Sequence, residues 1–248
     1  MLTFHLMDNL KTKTFLTARW EDLIMANYSV PQEILMPYLP KGVELDLFEG
    51  KAYVSLVGFM FKSTRLFGIP IPLMGTFEEI NLRFYVKRKD GDTFKRGVVF
   101  INETVPYKIV AFIANKLYKE HYISIPTKSK IGISNAVKTV NFQWKPKTGW
   151  NRIVITTDNI SAPMMDNSIE EFIFEHYYGY TRVSDNQTQE YRVNHPRWNI
   201  NQVLSSDIHC DFRAMYGNDF AFMSDTEPDS VIFAEGSDVS VDWKRRDI

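Results

Sequence analysis

Residues 52–61 read Ala-Tyr-Val-Ser-Leu-Val-Gly-Phe-Met-Phe, without a charge and with apolar side chains at odd and even positions alike. In a strand successive side chains point to opposite faces, so such a run is stable only where both faces are covered. The chain must therefore build layers on both sides of this strand. Residues 78–87 add a second constraint. Ile80, Leu82, Phe84 and Val86 fall on one face and Glu79, Asn81, Arg83 and Tyr85 on the other, the two-residue period of a strand between unlike surroundings. Asp90-Gly91 is a hairpin signal, with the return strand over residues 96–102.

The rest of the chain continues in short strands. Residues 43–47 alternate apolar and polar, and Glu49-Gly50 turns them into the 52–61 run. Strands are expected at 122–125, 136–145, 151–157, 177–183, 189–194 and 231–241, and a long loop at 62–76, where Gly and Pro gather. A short helix is expected after Ser29-Val30-Pro31, with Ser29 as its cap and Pro37 and Pro40 stopping it. Val105, Ile109, Phe112, Ile113 and Leu117 predict a helix over 104–118 with Pro106 in its first turn. Ser168-Ile169-Glu170-Glu171 is a capping box ahead of another. Ten or so strands with two or three helices indicate an α+β, mostly β chain: an antiparallel β-barrel or curled sheets with flanking helices. Helices come too rarely for βαβ units. No repeat, low-complexity segment or linker interrupts residues 1–248, which are read as one domain.

Composition narrows the partners. A formal charge of −1 gives no electrostatic reason to expect nucleic acid or an anionic membrane. Lys87-Arg88-Lys89 and Lys244-Arg245-Arg246 each abut Asp and read as a solvated turn and tail. Cys210 is the only cysteine, which excludes an internal disulfide and fits a reducing compartment. Asp8, Lys11 and Lys13 break up any apolar leader, and no stretch approaches the ~20 apolar residues of a membrane span. A cytoplasmic location is expected. His121, His176, His195 and His209 lack metal-ligand spacing, so no metal is expected. No cofactor is expected either, since the glycines form neither a phosphate-cradling loop nor a dinucleotide fingerprint, and no serine nucleophile elbow occurs.

Several segments, in this order, resemble the YqjF-type family, a bacterial domain of unknown function. They are Trp20-Glu21-Asp22-Leu23, Tyr28-Ser29-Val30-Pro31 and Leu39-Pro40-Lys41-Gly42-Val43-Glu44-Leu45-Asp46, then residues 52–59, 79–86 and 97–100, then Phe172-Ile173-Phe174-Glu175-His176-Tyr177 and His195-Pro196-Arg197-Trp198. The match covers roughly residues 15 to 205. That family is similar to acetoacetate decarboxylases, which implies their fold, a β-barrel-like core enclosing a pocket. It also suggests homo-oligomeric assembly by analogy. Those enzymes use a lysine that forms a Schiff base with a β-keto acid and must be neutral to attack. In the stretch that resembles theirs, residues 117–123, Tyr122 and Ile123 fall where the paired lysines would be. Neither forms an imine. Lys116 and Lys119 lie nearby, at a helix end that normally faces water.

The remaining candidates are polar. Glu79, Asn81, Arg83 and Tyr85 recur about 7 Å apart along one strand face, and Glu79 resembles the acidic residue that lines the decarboxylase pocket. Turned inward, Arg83 clamps a carboxylate and Glu79 serves as acid or base. Turned outward, the row is an ordinary solvated face. Glu175 reads as a buried ion pair, with Arg83 or another cation, or as a catalytic carboxylate. His195 reads as a packed loop histidine or as a general base. With Tyr122 these residues make the expected ligand-binding set: Glu79, Asn81, Arg83, Tyr85, Tyr122, Glu175 and His195. The expectation is a pocket protein that lacks the Schiff-base lysine and binds a small organic molecule, acids among the candidates. One alternative is a lyase that is lysine-independent or uses a relocated lysine, and another is a structural or partner-binding domain.

Overall fold

The computed structural model describes residues 14–248; residues 1–13, where no leader was expected, lie outside the described residues. The chain enters with β1 (Thr14–Val30), α1 (Gln32–Leu35) and a 3-10 turn at Met36–Tyr38, then touches the sheet at β2 (Glu44–Leu45). Pro31, not Ser29, holds the N-cap of α1. Ser29 stays in β1 and its N–H donates to Asp229 Oδ2. β3 (Ala52–Leu66) outlasts the expected strand and folds back through β4 (Ile69–Pro70), so the 62–76 segment is partly hairpin. β5 (Phe77–Asp90) and β6 (Thr93–Val105) form the expected hairpin, with Gly91 at φ 64°.

Because Thr104 and Val105 complete β6, α2 (Lys108–Tyr118) starts later than its apolar spacing suggested, and Pro106 precedes the helix. β7 (Tyr122–Ser124), β8 (Thr127–Ser134), β9 (Val137–Trp144) and β10 (Asn151–Pro163) follow. The Ser168 hydroxyl caps α3 (Ile169–Phe174) by accepting the Glu171 N–H, as the capping box required. β11 (Tyr178–Ser184), β12 (Gln187–Asn194), β13 (Asn199–His209), α4 (Phe212–Tyr216), a 3-10 segment at Asn218–Asp225, β14 (Ser230–Asp242) and β15 (Arg246–Asp247) complete the chain.

Strand order runs β12-β11-β6-β5-β3-β1-β14, and β14 meets β12 again at Val193↔Val241 and Asn194↔Ser240. The sheet thus curls back on itself, while β13, β10, β9 and β8 continue from β14 as an arm. Of the two expected arrangements, barrel or curled sheets, the curled sheet is the one formed. Pairing is antiparallel except where β6 meets β11 and β7, both parallel, and the closure is a short contact on a curled sheet. The described residues also carry fifteen strands and four α-helices, more than the sequence suggested.

This topology explains the uncharged run in β3. Its even-numbered residues Val54 and Leu56, with Ile80, Leu82 and Phe84 of β5, pack outward on Val140, Phe142, Trp144, Ile153 and Ile155 of the arm. Its odd-numbered Val57 and Phe59 face the inside of the curl with Leu23, Met25 and Val98.

One close approach matters for the site. A Cβ on Gly179 would lie 2.1 Å from the Tyr191 ring, so only glycine lets that ring cross β11. Gly179→Ala is expected to destabilise the protein by roughly 1–3 kcal/mol in urea unfolding. An unchanged midpoint would show that Tyr191 has room to move.

Candidate functional site

Inside the curl lies a cavity of about 180 Å³, somewhat larger than the roughly 150 Å³ engineered hydrocarbon cavity that takes up benzene. Its wall is chiefly apolar, including Trp20, Met25, Phe59, Phe100, Ile113 and Trp198. Polar groups enter mainly from β5, β6 and the segment that follows α2.

On β5 the inner-face residues Glu79, Asn81 and Arg83 line the cavity. The row therefore faces inward, and Glu79 and Asn81 are buried. Tyr85 shares that face but lies beyond the cavity. Its ring packs against Phe172 and His176, and its hydroxyl bonds Ser55 Oγ.

β6 supplies a carboxylate that periodicity does not reveal. Arg83 pairs with Phe100, yet Asn81 pairs with Glu103, so one extra residue bulges between them. Val98 and Phe100 face inward before the bulge, and Glu103 faces inward after it. The parallel β7 then sets Tyr122 beside Glu103. Asn115 of α2 fixes Tyr122 at both backbone groups, accepting its N–H at 2.7 Å and donating to its carbonyl at 2.9 Å. The Tyr122 hydroxyl donates to Glu79 Oε2 at 3.0 Å, and Asn81 Nδ2 donates to Glu79 Oε1 at 3.1 Å.

A third carboxylate arrives through a helix terminus. Lys119 adopts φ 59° and ends α2, sending its own side chain to solvent and Glu120 inward. Glu120 Oε1 accepts from Thr181 Oγ1 and, at 2.8 Å, from the Tyr191 hydroxyl.

Burial dominates the titration of this cluster. It raises Glu79 to about 7 against the bonds from Asn81 and Tyr122, with the Glu120 charge adding to the rise and Arg83 opposing it. Glu120 is likewise raised to about 7 by burial, opposed by Thr181 and Tyr191. Glu103 is pushed well above the ordinary range, first by burial and then by the Glu120 and Glu79 charges. Glu79 and Glu103 each feel the Glu120 charge, so the protons of the cluster are coupled. Burial also pushes the Tyr122 and Tyr191 phenols up, so they remain donors.

Arg83 is the sole lysine or arginine among the described residues lining the cavity. Its Nη2 donates to the Ile173 carbonyl at 3.3 Å and approaches Met25 Sδ at 3.5 Å. No carboxylate pairs with it among the described residues, and its Nε is buried without a partner. Glu175 does not fill that role. It accepts from the Tyr177 hydroxyl at 2.7 Å and is outside the cavity wall, which corrects its place in the expected set.

His195 does line the cavity, stacked between Tyr177 and Trp198 at 4.6 and 4.1 Å. Burial lowers it to about 4, so it is neutral at pH 7. His176, also in the wall, is lowered to about 4 by burial, with Nε2 3.2 Å from Asp46 Oδ2. Lys116 and Lys119 are exposed and outside the wall. No group of His, Cys, Asp and Glu among the described residues is arranged to hold a metal ion. No helix among the described residues is long and apolar enough to cross a membrane.

The same fold occurs in acetoacetate decarboxylase. The structure of that enzyme from Legionella pneumophila subsp. pneumophila str. Philadelphia 1 superposes with a TM-score of 0.63, covering 96% of this chain and 90% of that one, at 12% identity. The enduracididine biosynthesis enzyme MppR complexed with pyruvate gives 0.62, covering 96% and 91%, at 10% identity. The chain thus has an acetoacetate decarboxylase-like fold. In sequence it is 27% identical over 180 residues to the uncharacterized protein YqjF of Bacillus subtilis (strain 168), covering 71% of this chain and 72% of that one. Residues 17–238 match the family DUF2071, Uncharacterized conserved protein, and the chain belongs to that family.

The raised carboxylates make a signed prediction. A group with folded pKa near 7 and unfolded pKa near 4.5 binds more protons when folded between those values, so its contribution to stability falls as pH rises through that window. His176 and His195, lowered to about 4, act in the opposite sense between about 4 and 6.5. Comparison with a neutral variant isolates the carboxylate. Stability of Glu120→Gln relative to wild type should rise steadily between pH 4.5 and 7 in urea melts. A flat difference would mean that Glu120 ionises normally.

Proposed function

We propose that this protein binds a small organic acid inside the curled sheet, and that it does so without an imine-forming lysine. The carrying observation is Arg83. It is a cation in an otherwise apolar and acidic wall, with a buried Nε free of protein partners and no carboxylate paired to it. A guanidinium so placed holds a carboxylate through charge-assisted bonds. Tyr122, which falls where the decarboxylases' lysine pair was expected, spends its hydroxyl on Glu79, and a phenol cannot condense with a carbonyl. Among the structural relatives, MppR is recorded with pyruvate, itself a small acid.

A second reading is favoured by the carboxylates. Glu79 and Glu120, both near 7, have proton-accepting and proton-donating forms available at neutral pH, as general acid–base chemistry on a bound acid requires. The function would then be that of a lysine-independent enzyme using the same cavity and the same Arg83 anchor. A domain without a ligand site is disfavoured, since it would have no need of a hollow lined by buried polar groups.

Borohydride reduction in the presence of pyruvate and acetoacetate, read by intact mass, should leave the protein unmodified; an adduct would overturn the lysine-free reading. Pyruvate, acetoacetate and butyrate should raise the melting temperature of the wild type. Arg83→Met should weaken their binding at least about tenfold, the scale of a lost charge-assisted bond. Equal binding by the variant would remove Arg83 as the anchor. Incubation in deuterium oxide tests the second reading. Exchange at the carbon next to the carbonyl of acetoacetate, beyond the protein-free rate and lost in Glu79→Gln, would establish proton transfer; exchange at the protein-free rate would exclude it for that acid.

A further inference from the structure

Six polar atoms of cavity-lining residues are buried and lack a hydrogen-bond partner among the described residues, and three of them, Asn81 Oδ1, Arg83 Nε and Glu103 Oε2, lie on the paired strands β5 and β6. Asn81 and Glu103 are each 2% exposed, and side chains so deeply buried are normally satisfied. The three belong to one patch. Arg83 follows Asn81 by one full period on the inner face of β5, about 7 Å along the strand, and Asn81 sits directly opposite Glu103 on β6.

Their hydrogen-bonding capacities differ. Arg83 Nε can only donate. The Asn81 amide nitrogen is committed to Glu79 Oε1, which leaves its oxygen for the cavity, and that oxygen can only accept. Glu103 Oε2 accepts when ionised and can donate when neutral. A plain alkyl acid or an oxo acid brings acceptors alone. It would satisfy Arg83 and leave Asn81 unpaired.

We infer that the ligand is a short-chain acid carrying a hydrogen-bond donor, a hydroxyl or an amino group, a few ångströms from its carboxylate, and that Asn81 is the residue that reads the donor. This rests on the organic-acid reading above and deepens it by naming the ligand class. The carboxylate lies at Arg83 and the donor lies between Asn81 and Glu103. Met25 and Phe100, also in the wall, face the carbon skeleton. The cavity of about 180 Å³ suits a molecule of a few carbons. Hydroxyl and amine share the donating role but leave different traces. An ammonium beside Glu79, Glu103 and Glu120 favours their ionised forms, so its binding expels protons. A hydroxyl leaves the proton count where the carboxylate alone sets it, the count that butyrate gives.

The test uses the full chain and four acids on one carbon skeleton: butyrate, acetoacetate, 3-hydroxybutyrate and 3-aminobutyrate. Titration calorimetry at pH 7 in two buffers of unlike ionisation enthalpy gives affinity and proton release together. At least one donor-bearing acid should bind about tenfold or more tighter than butyrate and acetoacetate, the scale of one buried hydrogen bond gained or lost. Proton release relative to butyrate identifies the amine as the preferred form, and its absence the hydroxyl. Asn81→Leu should bring the donor-bearing acid down to the affinity of butyrate, which itself changes little, whereas Asn81→Asp, which keeps an acceptor, retains a preference. Equal wild-type affinity for butyrate and the donor-bearing acids overturns the donor inference and leaves the acid reading standing. Failure of all four to bind overturns both. A preference that survives in Asn81→Leu overturns the assignment to Asn81. The wild-type comparison holds whether or not the variants fold.

Discussion

Between residues 79 and 86, β5 is covered on both faces but carries charge on only one. That constraint shapes the region around it. The outer residues Ile80, Leu82 and Phe84 disappear into the contact with the arm and require nothing beyond close packing. The inner residues Glu79 and Asn81 are as deeply buried, and a carboxylate there is tolerable only if it is hydrogen-bonded or protonated. Tyr122 and Asn81 supply the bonds. Tyr122 is in turn held by Asn115 on α2, so the seating of that helix and the state of Glu79 are mechanically joined. The curl is too wide for the side chains of seven strands to fill, and the space left over is the cavity.

Much of this was legible in the sequence. The uncharged run in β3, the two-faced row in β5 and the Asp90-Gly91 turn depend on local alternation, and local alternation survives folding. What escaped notice has identifiable causes. Glu103 was obscured because a bulge inserts one residue after Phe100, and a reader counting by twos beyond that point assigns the wrong face. Glu120 stands next to Lys119 at a helix end, where both residues look solvated; one left-handed residue turns the backbone so that only the lysine is. Tyr191 gave no signal at all, since its reach across Gly179 is a tertiary contact. Glu175 was misplaced because helix spacing cannot say which neighbour a terminal carboxylate will meet. The closure of β12 on β14 joins residues far apart in the chain, and no periodicity reports it.

The charge state of the cavity follows from burial more than from its inventory of ionisable groups. Two histidines, three carboxylates, an arginine and four phenols surround it, yet at neutral pH the histidines are uncharged and the Tyr122 and Tyr191 phenols protonated. The carboxylates hold some of their protons. Arg83 is left as the one permanent charge. The interior therefore offers an anion a single fixed anchor at one end and, at the other, a proton reservoir whose filling responds to whatever is placed beside it.

Two other buried carboxylates show what a structural role looks like. Asp46 is as deeply buried as Glu120, and it receives Arg96 at 2.6 Å and His176 at 3.2 Å. Glu190 is held by Arg88 at 2.7 Å and Lys95 at 3.2 Å. Those carboxylates are tied on all sides and serve the fold. Glu103, Asn81 and Arg83 sit on adjacent strands of the same sheet, where an aliphatic side chain at any of the three positions would extend the apolar wall at no electrostatic cost. Six of the twelve buried unpartnered side-chain atoms among the described residues belong to the cavity wall, and departures from a packing rule are expected where a site is left open for a partner. The contrast between the tied carboxylates and the open trio is therefore the physical reason to place function inside the curl.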